Sequence, residues 1–179
     1  MPDDRRAIAF RPLTERDAAA VAAWRYEGPY AFYNLDQDPA DWAEFLDPAN
    51  WPNAYYAAID ARGALVGFFS FRQIRGVSDA DDGTLEIGLG LRPDLTGKGL
   101  GLDFVRAGLA FAGELFAPAR FRLAVATFNR RAIRVYERAG FRPVRTFANP
   151  TNGGVYEFLE MARPADGPAR CRSHPGGVS

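Results

Sequence analysis

The chain of 179 residues contains one cysteine, Cys171, and one histidine, His174. Both fall in a C-terminal stretch rich in Pro, Gly and Ser. A single cysteine excludes any disulfide within the chain, and a zinc site built from Cys and His has too few ligands. A catalytic His or Cys in the body of the chain is excluded for the same reason, and no metal site is expected. Charge of one sign is also missing: Lys plus Arg and Asp plus Glu both total 22. That balance gives no reason to expect nucleic acid as a partner. No apolar run is long enough to span a bilayer, and Met1-Pro-Asp-Asp-Arg-Arg6 is not followed by the apolar core of a secretory signal. The expectation is a soluble cytoplasmic protein with no membrane partner.

Hydrophobic residues make up 47% and charged residues 25%, enough to build a core in a chain of this length. The length points to one domain, placed at residues 1–163, followed by a flexible tail at 164–179 whose composition lacks large apolar side chains. Ala7-Ile-Ala-Phe-Arg11 reads as a first strand. Thr14, with Asp17 three residues on, opens an Ala-rich helix over 15–25. Residues 26–51 are aromatic-rich and irregular, with a short helix from Pro39 capped by Asp38. Strands at 55–60 and 64–72 form a hairpin, and an acidic loop at 77–83 precedes a strand over 84–91. The glycines at 88 and 90 in that strand suggest a bulge or the close approach of a ligand. A helix over 99–116, an alternating strand over 120–127, a helix capped by Asn129, and two strands at 141–147 and 155–161 joined by a loop at 149–154 complete the order β-α-α-β-β-β-α-β-α-β-β. Hairpins interleaved with helices indicate a mixed sheet with helices packed on it.

Two segments carry chemistry. Thr96-Gly-Lys-Gly-Leu-Gly101 places three alternating glycines at a helix entrance, directly after a strand. Free amides at a helix N-terminus attract phosphate, and Lys98 adds a point charge. The same glycines also serve as a plain turn. A Walker A loop does not fit, because position 92 is Arg and position 99 is Gly; the dinucleotide pattern GxGxxG does not fit either. The second segment runs from Asn129 through Ala132 and Tyr136 to Gly140-Phe141. It reads as a capped amphipathic helix with a glycine stop. Its packing alone accounts for Tyr136 as a core residue.

Together the two segments resemble the signature pair of the GNAT superfamily of N-acetyltransferases. The first matches the family's Arg/Gln-x-x-Gly-x-Gly/Ala run, with Thr96 in place of Arg or Gln. The second meets Asn-x-x-Ala-x-x-x-Tyr-x-x-x-Gly-Phe in full. The resemblance implies a mixed α/β (α+β) fold. Its sheet is mostly antiparallel and splayed between two strands, with helices on both faces. It implies acetyl-CoA (coenzyme A) as cofactor, with its pyrophosphate on Thr96, Gly97, Lys98, Gly99, Gly101 and Leu102. It also implies a pantetheine arm pairing with backbone at Leu89 and Leu91, and a cofactor-side role for Asn129. By the same resemblance Tyr136 is the general acid for the leaving thiolate. A phenol near pKa ~10 donating to a thiol near ~8.5 is uphill by roughly 2 kcal/mol, so a strong hydrogen bond without full transfer serves as well.

The resemblance implies an acyl-CoA-dependent N-acetyltransferase in which a primary amine attacks directly in a ternary complex. The alternative is a non-catalytic acyl-CoA-binding or regulatory module of the same fold. The attacking amine must be neutral, which for a lysine-like amine costs about 4–5 kcal/mol at pH 7. With no His or Cys in the body, the proton acceptor is sought among carboxylates: Glu86 first, where relatives with Glu-Ile-Gly often use it, and Asp36 second. Glu86 reads equally as an ion-paired strand carboxylate. Trp24, Tyr26, Tyr30 and Tyr33 are expected to line the acceptor site, with packing as the alternative for Trp24. Arg130, Arg131 and Arg134 either meet phosphate or form a solvated helix face. A small-molecule amine and a peptide or protein amine are both open as acceptor, as are monomer and homodimer.

Overall fold

The computed structural model describes residues 7–75 and 81–166. Seven strands form one sheet: β1 (Ala9–Pro12), β2 (Tyr55–Ile59), β3 (Leu65–Arg75), β4 (Asp81–Leu91), β5 (Arg120–Ala126), β6 (Arg142–Thr151) and β7 (Gly154–Pro164). Their spatial order is β1-β2-β3-β4-β5-β7-β6, antiparallel throughout except for the parallel pair β4–β5. Four α-helices connect them: α1 (Glu15–Ala22), α2 (Pro39–Leu46), α3 (Gly101–Phe116) and α4 (Arg130–Arg138). The sequence order of elements is the expected one.

Local chemistry sets the helix starts. The Thr14 hydroxyl accepts from the Asp17 N–H at 3.3 Å while the Asp17 carboxylate accepts from the Thr14 N–H at 2.9 Å, a complete capping box. Arg11 then neutralises the buried Asp17 from β1, its Nη2 donating at 3.0 Å. Asp38 caps α2, accepting from the Ala40 N–H at 2.9 Å, and Pro39 supplies the pre-set first turn.

The strand period divides the core between the two faces of the sheet. Tyr56 and Ala58 point into one cluster with Phe69, Phe71, Leu85, Ile87, Leu123 and Val125, which α3 covers through Phe104, Val105 and Leu109. Ala57 points the other way, into a smaller cluster under α1 and α2 with Leu13, Ala18, Val21, Phe45 and Trp51. Helices therefore lie on both faces. Close contact between α3 and the sheet requires small residues: a Cβ on Gly108 would sit 2.2 Å from the buried Phe69 ring, and one on Gly67 would sit 2.4 Å from Phe104.

Besides shifts of two or three residues at other element ends, such as α1 stopping at Ala22 and β3 running on to Arg75, three boundaries differ from the sequence reading. β4 begins at Asp81, inside the expected acidic loop, and residues 76–80 of that loop lie outside the described residues. β6 and β7 are longer than expected, because the turn is only Asn152-Gly153, both with left-handed φ (51° and 73°). That Asn-Gly pair is the standard two-residue hairpin signal. Pro150 does not end β6, which is an edge strand and needs no donor on its open side. Third, the ordered chain passes 163: β7 reaches Pro164, and the Ala165 N–H bonds the Ala119 carbonyl at 3.0 Å. The rest of the expected tail, 167–179, lies outside the described residues, with Cys171 and His174 in it. Among the described residues no helix is long and apolar enough to cross a membrane, and no cluster of His, Cys, Asp and Glu could hold a metal.

Gly108→Ala should overpack the α3–β3 contact, because the Phe69 ring it meets is itself fully buried. Chemical denaturation should show a loss of about 1–2 kcal/mol, despite the better helix propensity of Ala.

Candidate active site

The site begins where two parallel strands separate. β4 and β5 pair only at Thr84↔Arg120, Leu85↔Phe121 and Glu86↔Arg122. Both strands continue past that point, to Leu91 and Ala126, without pairing to each other. On the other side, β4 stays in register with β3 without a break from Thr84 to Leu91. The Arg92 N–H reaches the Val66 carbonyl at 2.8 Å. In an antiparallel ladder the hydrogen-bonded positions alternate, so Gly90 and Gly88 spend their backbone groups on β3. Leu89 and Leu91 turn theirs away from β3, into the gap beside β5.

The expected bulge at Gly88 and Gly90 is absent. These glycines make room for neighbours across the strand pair instead. A Cβ at Gly88 would stand 2.4 Å from the Ser70 hydroxyl, and one at Gly90 would stand 2.4 Å from the Phe68 ring. The sheet opens on the β5 side alone.

The gap leads into a cavity of about 710 Å³. One end is the glycine turn. Gly97 and Gly99 hold left-handed φ of 71° and 77°, which other residues adopt only with strain. Gly101 and Leu102 begin α3, whose cap residue Leu100 offers no side-chain acceptor to the first turn. Thr96 lines the cavity, but its hydroxyl is committed to the Pro93 carbonyl at 2.7 Å, so it orders the turn. Lys98 does not line the cavity: it is exposed, near Asp94, whose carboxyl pKa is held down chiefly by the Arg92 hydrogen bond and only slightly by Lys98.

α4 forms a second wall. The Asn129 carbonyl oxygen accepts from the Ala132 N–H at 3.1 Å, capping the helix, and its amide donates to the Tyr33 hydroxyl at 3.2 Å. Ala132, Val135 and Tyr136 follow along the cavity. Burial and the neighbouring Tyr33 push the Tyr136 phenol well above its ordinary pKa. Its hydroxyl has no hydrogen-bond partner among the described residues, yet it is not sealed off. It opens into the cavity. Arg131 also lines the cavity, its guanidinium 4.3 Å from the centre of the Tyr30 ring. Arg130 and Arg134 do not line it.

The aromatic segment is the third wall, and Trp24, Tyr26, Tyr30 and Tyr33 all face the cavity. Trp24 also packs on Phe68, with ring centres 6.4 Å apart. Tyr26 donates its hydroxyl to the Leu91 carbonyl at 2.8 Å, and burial pushes its pKa up to about 12. One of the backbone acceptors expected for the pantetheine arm is therefore already in use, although a carbonyl has a second lone pair.

Glu86 lies elsewhere. It does not line the cavity, and its carboxylate bridges Arg72 on β3 and Arg122 on β5, the latter at 2.7 Å. Burial works against its charge, but the two guanidiniums more than offset that and hold its pKa below the usual range. This is the ion-paired alternative. A carboxylate held by two guanidiniums is a poor proton acceptor. Asp36 is paired with Arg25 at 3.2 Å and is also not a lining residue.

Among the described residues, the carboxylates that line the cavity are Asp38 and Asp41. The tip of the β6–β7 hairpin adds Asn149, Thr151 and Asn152. The sequence reading took Asp38 as a helix cap and passed over Asp41 and the hairpin tip. No periodicity marks them, because they meet the cavity through tertiary packing of α2 against that hairpin.

Comparison with known proteins bears on the family and the fold. The profile of the acetyltransferase (GNAT) domain matches residues 7–142. A mycothiol acetyltransferase from Propionibacterium freudenreichii subsp. shermanii is 38% identical over 106 residues, which is 58% of this chain and 31% of that protein. The matched segment thus spans under a third of that relative's length. Among solved structures, a GNAT-family acetyltransferase from Bacillus anthracis superposes with a TM-score of 0.68 at 19% identity, covering 88% of this chain and 95% of its own. An aminoglycoside acetyltransferase in complex with coenzyme A gives 0.67 at 24% identity over the same shares, 88% and 95%. Spermidine N-acetyltransferase from Vibrio cholerae, in complex with coenzyme A and spermine, gives 0.64 at 20% identity, again over 88% and 95%. These structural matches establish the fold, and the profile match over most of the chain establishes the family: the protein belongs to the GNAT acetyltransferases.

Proposed function

We propose that this protein transfers an acetyl group from acetyl-CoA to a primary amine of a small molecule, by direct attack of the amine in a ternary complex. The observation that carries this reading is the convergence on one cavity of three things: backbone at Leu89 and Leu91 that turns from β3 and finds no partner on β5, an uncapped glycine turn at the start of α3, and the open hydroxyl of Tyr136. Backbone facing a gap suits an amide-bearing arm, and free amides at a helix N-terminus suit phosphate. Gly97, Gly99, Gly101 and Leu102 would hold the pyrophosphate, with Thr96 ordering the turn and Arg131 adding the charge expected of Lys98. Asn129 would act through the α4 start, and not by direct contact. That two structural neighbours were solved with coenzyme A supports the same donor here.

When bound, acetyl-CoA supplies an activated acetyl group as a thioester. The chain's own residues then have two tasks. Tyr136 would present its O–H to the sulfur. Its raised pKa keeps the phenol protonated at neutral and moderately alkaline pH, which favours a hydrogen bond to the developing thiolate over outright proton transfer. The amine would shed its proton to solvent reaching the cavity, because Glu86 is engaged by Arg72 and Arg122, which lower its basicity, and does not line the cavity. Trp24, Tyr26, Tyr30 and Tyr33 would form the acceptor wall.

Calorimetry with acetyl-CoA should show one defined site, and Gly99→Glu should abolish it. Gly99→Ala separates charge from backbone strain at that left-handed position: it should weaken binding less. Equal affinity in Gly99→Glu would remove the turn from the donor site.

Tyr136→Phe should lower kcat by roughly 10²-fold or less, with little change in donor affinity. In the wild type, kcat should show no alkaline loss up to about pH 10, since the phenol keeps its proton. A basic limb near neutrality that disappears in Tyr136→Phe would contradict the raised pKa.

Glu86→Gln should leave the acidic limb of kcat/KM against pH in place, following the pKa of the amine used. It should cost about 1–2 kcal/mol of stability at pH 7, where the ionised carboxylate holds two arginines. The folded-state pKa of Glu86 is depressed. Its contribution is therefore present above the unfolded value near ~4.3 and lost as pH falls through the folded one. Denaturation curves of the two proteins should converge in acid.

A further inference from the structure

The tyrosines of the aromatic wall differ in what surrounds their hydroxyls. Tyr26 donates to the Leu91 carbonyl, and the Tyr30 ring lies under the Arg131 guanidinium. Tyr33 stands beside the start of α4 instead, its ring held edge-on by Phe32 with centres 5.2 Å apart. Its oxygen meets the Asn129 side-chain amide at 3.2 Å.

The direction of that bond is fixed. The Asn129 carbonyl oxygen accepts from the Ala132 N–H at 3.1 Å, so the side-chain nitrogen must face Tyr33. An amide nitrogen donates and does not accept. Tyr33 is therefore the acceptor, and its own proton turns elsewhere. The Ala126 N–H, at the end of β5, acts on the same oxygen: burial raises the Tyr33 pKa, while the Asn129 amide and the Ala126 N–H work against that rise. With two N–H groups directed at the oxygen, the O–H is left to point into the cavity that Tyr33 lines. It has no acceptor among the described residues. The Tyr136 hydroxyl opens into the same cavity, and burial and the nearby Tyr33 both raise its pKa.

Two neutral donors facing one cavity suit a group with two adjoining acceptors. A thioester is such a group: charge gathers on its oxygen as a nucleophile adds to the carbon, and on its sulfur as the carbon–sulfur bond breaks. Tyr136 serves the sulfur in the reading above. We propose that Tyr33 is a second catalytic donor, whose O–H, turned by Asn129, hydrogen-bonds the acetyl oxygen of the thioester. This rests on the acetyltransferase reading. Tyr33 keeps its proton throughout: the amine supplies the electron pair of the new carbon–nitrogen bond, and the pair of the broken bond leaves with the sulfur. A donor fixed beforehand needs no reorganisation as charge appears. Tyr33 as a plain acceptor wall would alter the KM for the amine instead, and Tyr33 as a tie to α4 would alter stability.

The test is the carbonyl stretch of acetyl-CoA bound in the absence of any amine, isolated by infrared difference with a heavy-carbon label at the acetyl carbonyl. In the wild type the stretch should lie below that of free acetyl-CoA. Tyr33→Phe should lose a large part of that shift, and should lower kcat by roughly 10²-fold with the amine KM nearly unchanged. Asn129→Asp is the second arm. Asp caps a helix as well as Asn does. Its carboxylate only accepts, so the Tyr33 O–H turns toward it and away from the acetyl oxygen. Asn129→Asp should therefore lose the same shift with the phenol still present, which lost ring packing cannot mimic. A shift kept in either variant overturns the proposal, as does an unchanged kcat with a raised amine KM in Tyr33→Phe. If Tyr33→Phe fails to fold, Asn129→Asp decides alone. A wild type that does not bind acetyl-CoA overturns the acetyltransferase reading and the role of Tyr33 with it. A wild type that binds acetyl-CoA with its stretch unmoved overturns the role of Tyr33 alone.

Discussion

The Glu86–Arg122 contact stands at the fork of the sheet, and the cavity depends on it. Below that pair β4 and β5 are hydrogen-bonded neighbours; above it they are not. Arg72, Glu86, Arg122, Glu160 and Arg145 come from β3, β4, β5, β7 and β6, in the spatial order of the strands. Charges alternate along this row, which crosses five strands at one level. Parallel strands that part company expose backbone groups and have every reason to close up or to peel further. The ionic row pins the fork where it is, on the exposed face, while Leu85, Phe121 and Leu123 hold it from the core side.

With the fork fixed, the irregular segment after α1 spans the opening by means of polar side chains. Tyr26 reaches the gap edge of β4 at Leu91, Tyr33 reaches Asn129 at the start of α4, and Asn34 accepts from the Tyr26 N–H at 2.8 Å and draws the two ends together. Phe32 packs edge-on against Phe128 and Tyr156, with ring centres 5.4 and 4.8 Å away. A segment with little regular backbone pairing is thereby held by side chains at both flanks of the gap.

Much of this was legible in the chain. Thr14, Asp38 and Asn129 mark helix starts because capping is local chemistry, and the two-residue period of β5 survives in Phe121, Leu123 and Val125. Tyr136 and Asn129 could be found because their spacing lies on a single helix. What was missed needs more than one element. Strand alternation put Glu86 on the face of Gly88 and Gly90, which is correct, but the partners that neutralise it stand on β3 and β5. The glycines of β4 read as a bulge because one strand does not show the Ser70 and Phe68 beside it. The acidic start of β4 and the Pro150 end of β6 looked like loops on composition, yet pairing overrode propensity in both.

Asp38 joins a helix near the front of the chain to a turn near its end, and Asn152 adds a second bond, donating its side-chain amide to the Phe32 carbonyl at 2.8 Å. The family profile stops at residue 142, before that turn. The hairpin tip that helps α2 close one end of the cavity thus lies outside the stretch that defines the lineage. Descent can conserve that stretch while the tip drifts, and a change of only a residue or two in the length of the last hairpin would alter what fits inside without touching a single signature position.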